Sequence, residues 1–269
     1  MGLFPMIKLN AVQRGSRFSQ KDRPAPNVHP PMNGETMASP EKSTSERSNE
    51  LANAFGEQLG SAVVQTNEPL SSHTTFKIGG PADIFIRPSS IQGVEKAVAL
   101  CRELGIEWRV MGLGSDLLIA DDGLRGAVIQ IAENLSSIEI EGETLIADAG
   151  ASNEQVAAAA LKAGLAGYEF ASGIPGSVGG AAIMNAGAYG GEFKDVAASV
   201  LCLTCNGEMQ EIPAIAADWG YRHSMMGDAG MIVLKATLQL HEDDPSAIQT
   251  RMDDLAKRRT EKQPLDMPS

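Results

Sequence analysis

The fold is decided by Ser172-Gly-Ile-Pro-Gly-Ser-Val-Gly-Gly-Ala-Ala-Ile-Met-Asn-Ala-Gly-Ala-Tyr-Gly-Gly191. Seven of the chain's 28 glycines fall in these twenty residues. Pro175 stiffens the start of the segment, while Gly176, Gly179 and Gly180 leave backbone amides uncovered for an anion. Small residues then open a helix, and a helix N-terminus favours a pyrophosphate. Ile174, Val178 and Met184 make the stretch too apolar for a flexible linker.

A second glycine loop lies upstream, Gly112-Leu-Gly-Ser-Asp-Leu117, directly after the strand-like Trp108-Arg-Val-Met111. Its two glycines would let the backbone approach a phosphate closely. Position 117 is Leu, so the dinucleotide fingerprint is incomplete, and no Gly-Lys-Ser/Thr occurs anywhere. Alone, this loop reads first as a tight turn.

Around the loops the pattern is mixed. Residues 82–88 read as a strand closed by Pro88. A helix follows with Ser89 and Gln92 at capping-box spacing, a face of Val94, Ala97, Val98 and Cys101, and Gly105 at its end. Residues 128–131, 137–140 and 144–147 read as short strands. Ser152 caps a helix over 153–163, with Gln155 at the third helical position. A hairpin over 201–212, a strand over 231–240 and a polar helix over 245–260 complete an α+β pattern, not an alternating doubly wound sheet.

The 269 residues, 43% apolar, suffice for one large domain or two smaller ones. A net charge of -12 argues against nucleic acid and anionic membrane surfaces as partners. No apolar run approaches a membrane span. Residues 1–46 are rich in Pro, Ser, Asn and charge and read as disordered; a short helix over 46–60 follows. The N-terminus lacks a secretory signal, and Met6 breaks the myristoylation pattern. Five cations against one acid in residues 1–23 suit a transit peptide, although a disordered tail or an over-long start is preferred.

Three cysteines without a signal peptide point to a reducing compartment. Cys202 and Cys205 have redox or zinc spacing, but read as strand residues before an Asn206-Gly207 turn. The four histidines do not cluster, so no zinc site is expected. Arg222, in Gly220-Tyr-Arg-His-Ser224, is the candidate for stabilising an oxyanion; the bland alternative is a surface arginine.

Several segments together resemble the UDP-N-acetylenolpyruvoylglucosamine reductase (MurB) family. They are Asn67-Glu-Pro-Leu, His73-Thr-Thr-Phe-Lys-Ile-Gly-Gly-Pro-Ala-Asp83, 112–118 with Asp122-Gly-Leu-Arg-Gly126, the 172–191 block and Tyr221-Arg-His-Ser224. The resemblance implies a two-lobed FAD-binding domain of the vanillyl-alcohol-oxidase (PCMH) type followed by a substrate domain. The chain then divides into a disordered extension (1–46), lobe 1 (47–132), lobe 2 (133–241) and the start of a mostly missing substrate domain (242–269).

The implied reaction passes hydride from NADPH through FAD to the enolpyruvyl group of a UDP-sugar. The product is UDP-N-acetylmuramate, for cytoplasmic peptidoglycan synthesis and hence cell shape and division. Carried over to this chain, Arg222 stabilises an enolate-like intermediate, and Tyr189 and Tyr221 approach the substrate. Gly112, Gly114, Ser115, Asp116, Leu117, Gly173, Ile174, Pro175, Gly176, Ser177, Gly179, Gly180 and Ala181 hold FAD. Lys77, Arg109 and Arg125 are candidate cations for these polyanionic ligands.

Two departures stand out. Asp116 replaces the family's usual Asn, which is unfavourable beside a pyrophosphate unless its carboxylate binds backbone amides. The family's proton-donating serine and assisting glutamate are expected beyond Ser269, which leaves a flavin-binding module without turnover as the alternative. A different FAD oxidase of the same superfamily is the third reading, disfavoured because neither loop holds a Cys to tether the flavin.

Overall fold

The computed structural model describes residues 44–59 and 64–263. The disorder expected for 1–46 therefore lies outside the described residues, except that residues 44–46 already begin helix α1 (Thr44–Leu59).

The first sheet contains β1 (Val64–Pro69), β2 (Pro81–Ile86), β3 (Trp108–Met111) and β4 (Leu124–Gln130), in the order β1-β2-β4-β3. β1 runs antiparallel to β2, while β2 and β3 both run parallel to β4. Helix α2 (Ile91–Glu103) makes the crossover from β2 to β3. Its apolar face holds Val94, Ala97, Val98 and Cys101, all fully buried as their helical spacing predicts. Each of the two valines contributes roughly 1.5–3 kcal/mol by leaving water. The capping serine is Ser90, not Ser89: Ser90 Oγ accepts from the Gly93 amide at 3.1 Å. Gly105 takes φ +64° just past the helix end, as a helix-stopping glycine should.

The second sheet is wholly antiparallel. It contains β5 (Ile138–Glu141), β6 (Thr144–Asp148), then β10 (Ala197–Leu203), β11 (Met209–Pro213) and β12 (Ile232–Gln239), in the order β11-β10-β12-β6-β5. Between β6 and β10 the chain leaves the sheet. It forms α3 (Asn153–Lys162), the two-residue β7 (Leu165–Ala166), α4 (Val178–Ile183) and the ribbon of β8 (Gly187–Ala188) and β9 (Gly191–Glu192). Helix α5 (Met225–Asp228) precedes β12. After it, β13 (His241–Glu242) pairs with β7, and α6 (Pro245–Thr260) packs on α3 and on the turn at Glu169–Ala171.

The expected capping box at α3 is present: Ser152 Oγ accepts from the Gln155 amide, and Gln155 Oε1 accepts from the Ser152 amide. Cys202 is buried in β10, and burial pushes its thiol up to about 12. Cys205 lies beyond the strand, and both are free thiols.

One apolar core joins the two sheets and their helices. A smaller cluster of Leu70, Ala82, Phe85, Met111, Ile119 and Val128 lies on the other face of the first sheet. That second cluster exists because chain segments around Leu70 and Ile119 cover a face that would otherwise meet water. These same segments back the first glycine loop.

Candidate functional site

The first loop is held from below by the 73–83 segment. The Thr75 amide donates to Gly114 O at 3.1 Å, and the Gly80 amide donates to Ala120 O at 2.9 Å. Gly114 is buried at φ +70°. Among the described residues, no carbonyl or side chain accepts from the amides of residues 113–118. A run of donors without protein acceptors is what an anionic ligand would use. The Asp116 side chain is exposed and makes no hydrogen bond to these amides among the described residues, so the arrangement that would have made an acid favourable here is absent.

The second loop differs from expectation at its helix. Ser177 caps α4, accepting from the Gly180 amide at 3.4 Å. The Val178 and Gly179 amides donate to Ala151 O and Ala149 O, each at 2.8 Å. The first amides of α4 are therefore tied within the protein and do not face an anion. Gly179 and Ala181 are buried. An ideal Cβ on Gly179 would stand 2.9 Å from Ala149 Cβ, so this glycine permits close packing. The exposed residues here are Gly173, Pro175 and Gly180, with Ile174 and Gly176 partly so.

The two loops, some 60 residues apart in sequence, dock on each other. Ser115 Oγ donates to Pro175 O at 3.1 Å. A Cβ on Gly112 would lie 2.3 Å from Ser177 Oγ, and one on Gly176 would lie 2.5 Å from Ser115 Oγ. Asn153 fixes the second loop from α3. Its amide nitrogens donate to Gly176 O (3.1 Å, backbone) and Ile174 O (3.3 Å, side chain), while its Oδ1 accepts from the fully buried Tyr168 hydroxyl at 2.8 Å. Asn153→Ala strands that hydroxyl and the Ile174 carbonyl, so unfolding in urea is expected to show a loss of about 2–4 kcal/mol. Tyr168→Phe, which strands only Oδ1, is expected to lose less.

At the other end of α4 the chain opens a cleft of about 440 Å³. Tyr189, Tyr221 and Arg222 all line it, although 32 residues separate the first two in sequence. Tyr189 and Arg222 sit at φ +55° and +53°, which places them in tight turns of β8–β9 and of the Gly220–His223 bridge. Arg222 Nη2 donates to Gly187 O at 3.3 Å, and its guanidinium lies 5.5 Å from the Tyr221 ring centroid. Arg222 is half-buried and has no carboxylate partner within ion-pair distance among the described residues.

Sequence reasoning missed the polar lining residues Asn185, Glu192, Lys194 and Asp195. Asn185 is buried and joins the parts of the cleft. Its Nδ2 donates to Glu192 Oε2 (2.9 Å) and Gly220 O (3.0 Å), and its Oδ1 accepts from the Lys194 amide (3.0 Å). Glu192 pairs with Lys194 at 2.6 Å. The hydrogen bonds from Lys194 and then Asn185 hold the Glu192 carboxyl below its usual range. The available signal was one amide side chain in the otherwise apolar run 181–186.

His223 borders Arg222. Its Nε2 lies 2.8 Å from Asp228 Oδ2 and its Nδ1 lies 3.0 Å from Asp218 O. Asp228, and then the Asp218 carbonyl, raise the imidazole above its ordinary 6.5. A raised pKa makes this contribution full below about pH 6.5 and lost as pH rises through the folded value. Asp228→Asn is therefore expected to shrink the fall in melting temperature between about pH 5 and about pH 8. An unchanged fall would assign that pH dependence elsewhere.

Two of the candidate cations are tied elsewhere. Arg125 pairs with Asp83 at 2.7 Å and donates to Asp122 O, and Arg109 faces Glu107 at 3.8 Å. Lys77 is exposed in a turn at φ +56°.

A family model described as an FAD binding domain matches residues 82–213. An alkyldihydroxyacetonephosphate synthase structure has the same fold, with a TM-score of 0.56 at 16% identity over 80% of this chain and 42% of that one. The two sheets and docked loops thus form an α+β FAD-binding domain of the vanillyl-alcohol-oxidase type.

The UDP-N-acetylenolpyruvoylglucosamine reductase of Clostridium beijerinckii is 45% identical over 220 residues, 82% of this chain and 72% of the relative. The structure of UDP-N-acetylenolpyruvylglucosamine reductase (MurB) from Thermus caldophilus superposes with a TM-score of 0.66 at 30% identity, covering 74% of this chain and 70% of that one. The chain belongs to the UDP-N-acetylenolpyruvoylglucosamine reductase family.

Proposed function

We propose that this chain binds FAD across the docked loops and uses it with NADPH to reduce UDP-N-acetylglucosamine enolpyruvate to UDP-N-acetylmuramate, a cytoplasmic step of peptidoglycan synthesis. The observation that carries the binding half is the run of amides 113–118 without acceptors among the described residues, next to glycines where a Cβ would strike the facing loop. These residues fit a pyrophosphate-bearing cofactor. When bound, FAD supplies the hydride chemistry between the nicotinamide and the enolpyruvyl group.

The remaining chemistry falls to the chain. The Arg222 guanidinium, fixed on Gly187 O and Tyr221, offers forked donors to oxygen charge that develops on the carboxyl side of the enolpyruvyl group. Tyr189 and Tyr221 line the same cleft and would orient the UDP-sugar. On this reading the first sheet forms one lobe, the second sheet the other, and α6 opens the substrate-facing segment. Among the described residues no helix is long and apolar enough to cross a membrane.

The purified protein is expected to be yellow and to release FAD on denaturation. It is also expected to oxidise NADPH only when the enolpyruvyl substrate is present. A colourless protein that FAD does not stabilise overturns the whole reading. A yellow protein without substrate-dependent oxidation leaves the flavin site and overturns the reductase step.

A further inference from the structure

Helix α6 carries three arginines. Arg251 pairs with Glu169 (2.8 Å) and Asp243 (2.7 Å), and Arg258 pairs with Asp254 (2.6 Å). Arg259 alone has no acidic partner among the described residues. It lies against the second glycine loop: the point where Gly173 would carry a Cβ is 3.2 Å from Arg259 Cδ, 3.7 Å from Nη1 and 3.9 Å from Nε. A Cβ at 173 would meet the stem of Arg259 and require it to shift by a few tenths of an ångström. The Gly173 amide donates to no acceptor among the described residues.

The placement is built, not incidental. The Arg251–Glu169 pair fastens α6 to the turn that leads into the loop, and the same helix buries Ile248. Two helical turns further on, that fastening delivers Arg259 to Gly173. Holding a long cation against backbone without a counter-charge is unfavourable in entropy. An anion arriving at Gly173 would supply the missing partner, with the amide and the guanidinium as joint donors. Arg259 also lies well outside the 82–213 stretch that matches the FAD binding domain.

We propose that Arg259 completes the flavin site, its guanidinium holding an anionic oxygen of the bound flavin at Gly173. This rests on the FAD reading above. The oxygen belongs either to the pyrophosphate or to the flavin ring, which becomes anionic on reduction. Arg259→Gln, Arg259→Lys and, as the control on the same turn, Arg258→Gln separate these sources.

FAD affinity is measured by titration at low and high salt, and the reduction potential of the bound flavin by equilibration with dyes. If the pyrophosphate is the source, Arg259→Gln weakens FAD about tenfold at low salt, Arg259→Lys weakens it less, and the difference from the parent narrows at high salt. If the ring is the source, the affinity of the oxidised form holds and the potential drops by about 30 mV, the equivalent of tenfold for a two-electron couple. Unchanged affinity and potential in Arg259→Gln overturn the proposal, as does an equal effect of Arg258→Gln. A parent that binds no FAD at all fails the flavin reading and takes this proposal with it. Melting without FAD is expected to be the same for all variants, which separates loss of charge from loss of fold.

Discussion

Gly114→Ala is expected to lower the melting temperature by roughly 6–12 °C and to strip FAD from the protein. An ideal Cβ there would stand 1.9 Å from His73 O and 3.0 Å from His73 C and Thr74 Cα. Those are backbone atoms, so the clash cannot be relieved by turning a side chain. The residue sits at φ +70°, where an L-residue costs about 1–2 kcal/mol, and overpacking adds about 1–3 kcal/mol. A total of about 3 kcal/mol corresponds to the stated fall at 2–4 °C per kcal/mol. Relief by moving the loop would pull Gly114 O from the Thr75 amide and disperse the free amides that follow it. Gly105→Ala is the control. Its φ is +64°, yet nothing lies within 4 Å of its Cβ position, so only the conformational cost applies and FAD should remain. Equal behaviour of the two variants would show that the first loop has no special packing and no part in holding the cofactor.

Arg222→Ala is expected to cut substrate-dependent NADPH oxidation by roughly 10²–10³-fold while leaving FAD bound. The separation follows from position. Arg222 lines the cleft at the C-terminal end of α4, while the proposed flavin site lies at the other end of this six-residue helix, which is about 9 Å long. Arg222→Lys keeps the charge but loses the fork, and should recover only part of the rate. Turnover retained in Arg222→Ala would strike this residue from the mechanism. FAD lost from the same variant would show that cleft and flavin loop are not separable.

Strands, helices and the α+β class were legible because they rest on local patterns. Examples are the Val94-to-Cys101 face, the Ser152–Gln155 box and the apolar run of β12. The choice of Ser90 over Ser89 as a cap was not legible, since both serines stand at workable spacings and only the path of the chain after Pro88 decides between them. The loops themselves were visible as glycine density, but the close packing of Gly179 on Ala149 was not. Sequence shows that a glycine is there; it does not show whether the room it makes is taken by a ligand or by Ala149. Arg259 over Gly173 and Asn185 beneath Gly220 are contacts between distant segments, which no local spacing encodes.

Helix α4 couples two sites through rotation as well as distance. One residue more or fewer between Ser177 and Asn185 would advance everything after it by about 100° and 1.5 Å. The arginine turn would then address a different side of the molecule from the second glycine loop, and Val178 and Ala182, now fully buried, would turn out of the core. The length of this segment is thus a phase relation, and relatives that keep the chemistry are expected to keep its residue count. Insertions should gather instead at places such as the exposed turn at Gly142, where a change of length has nothing to rotate.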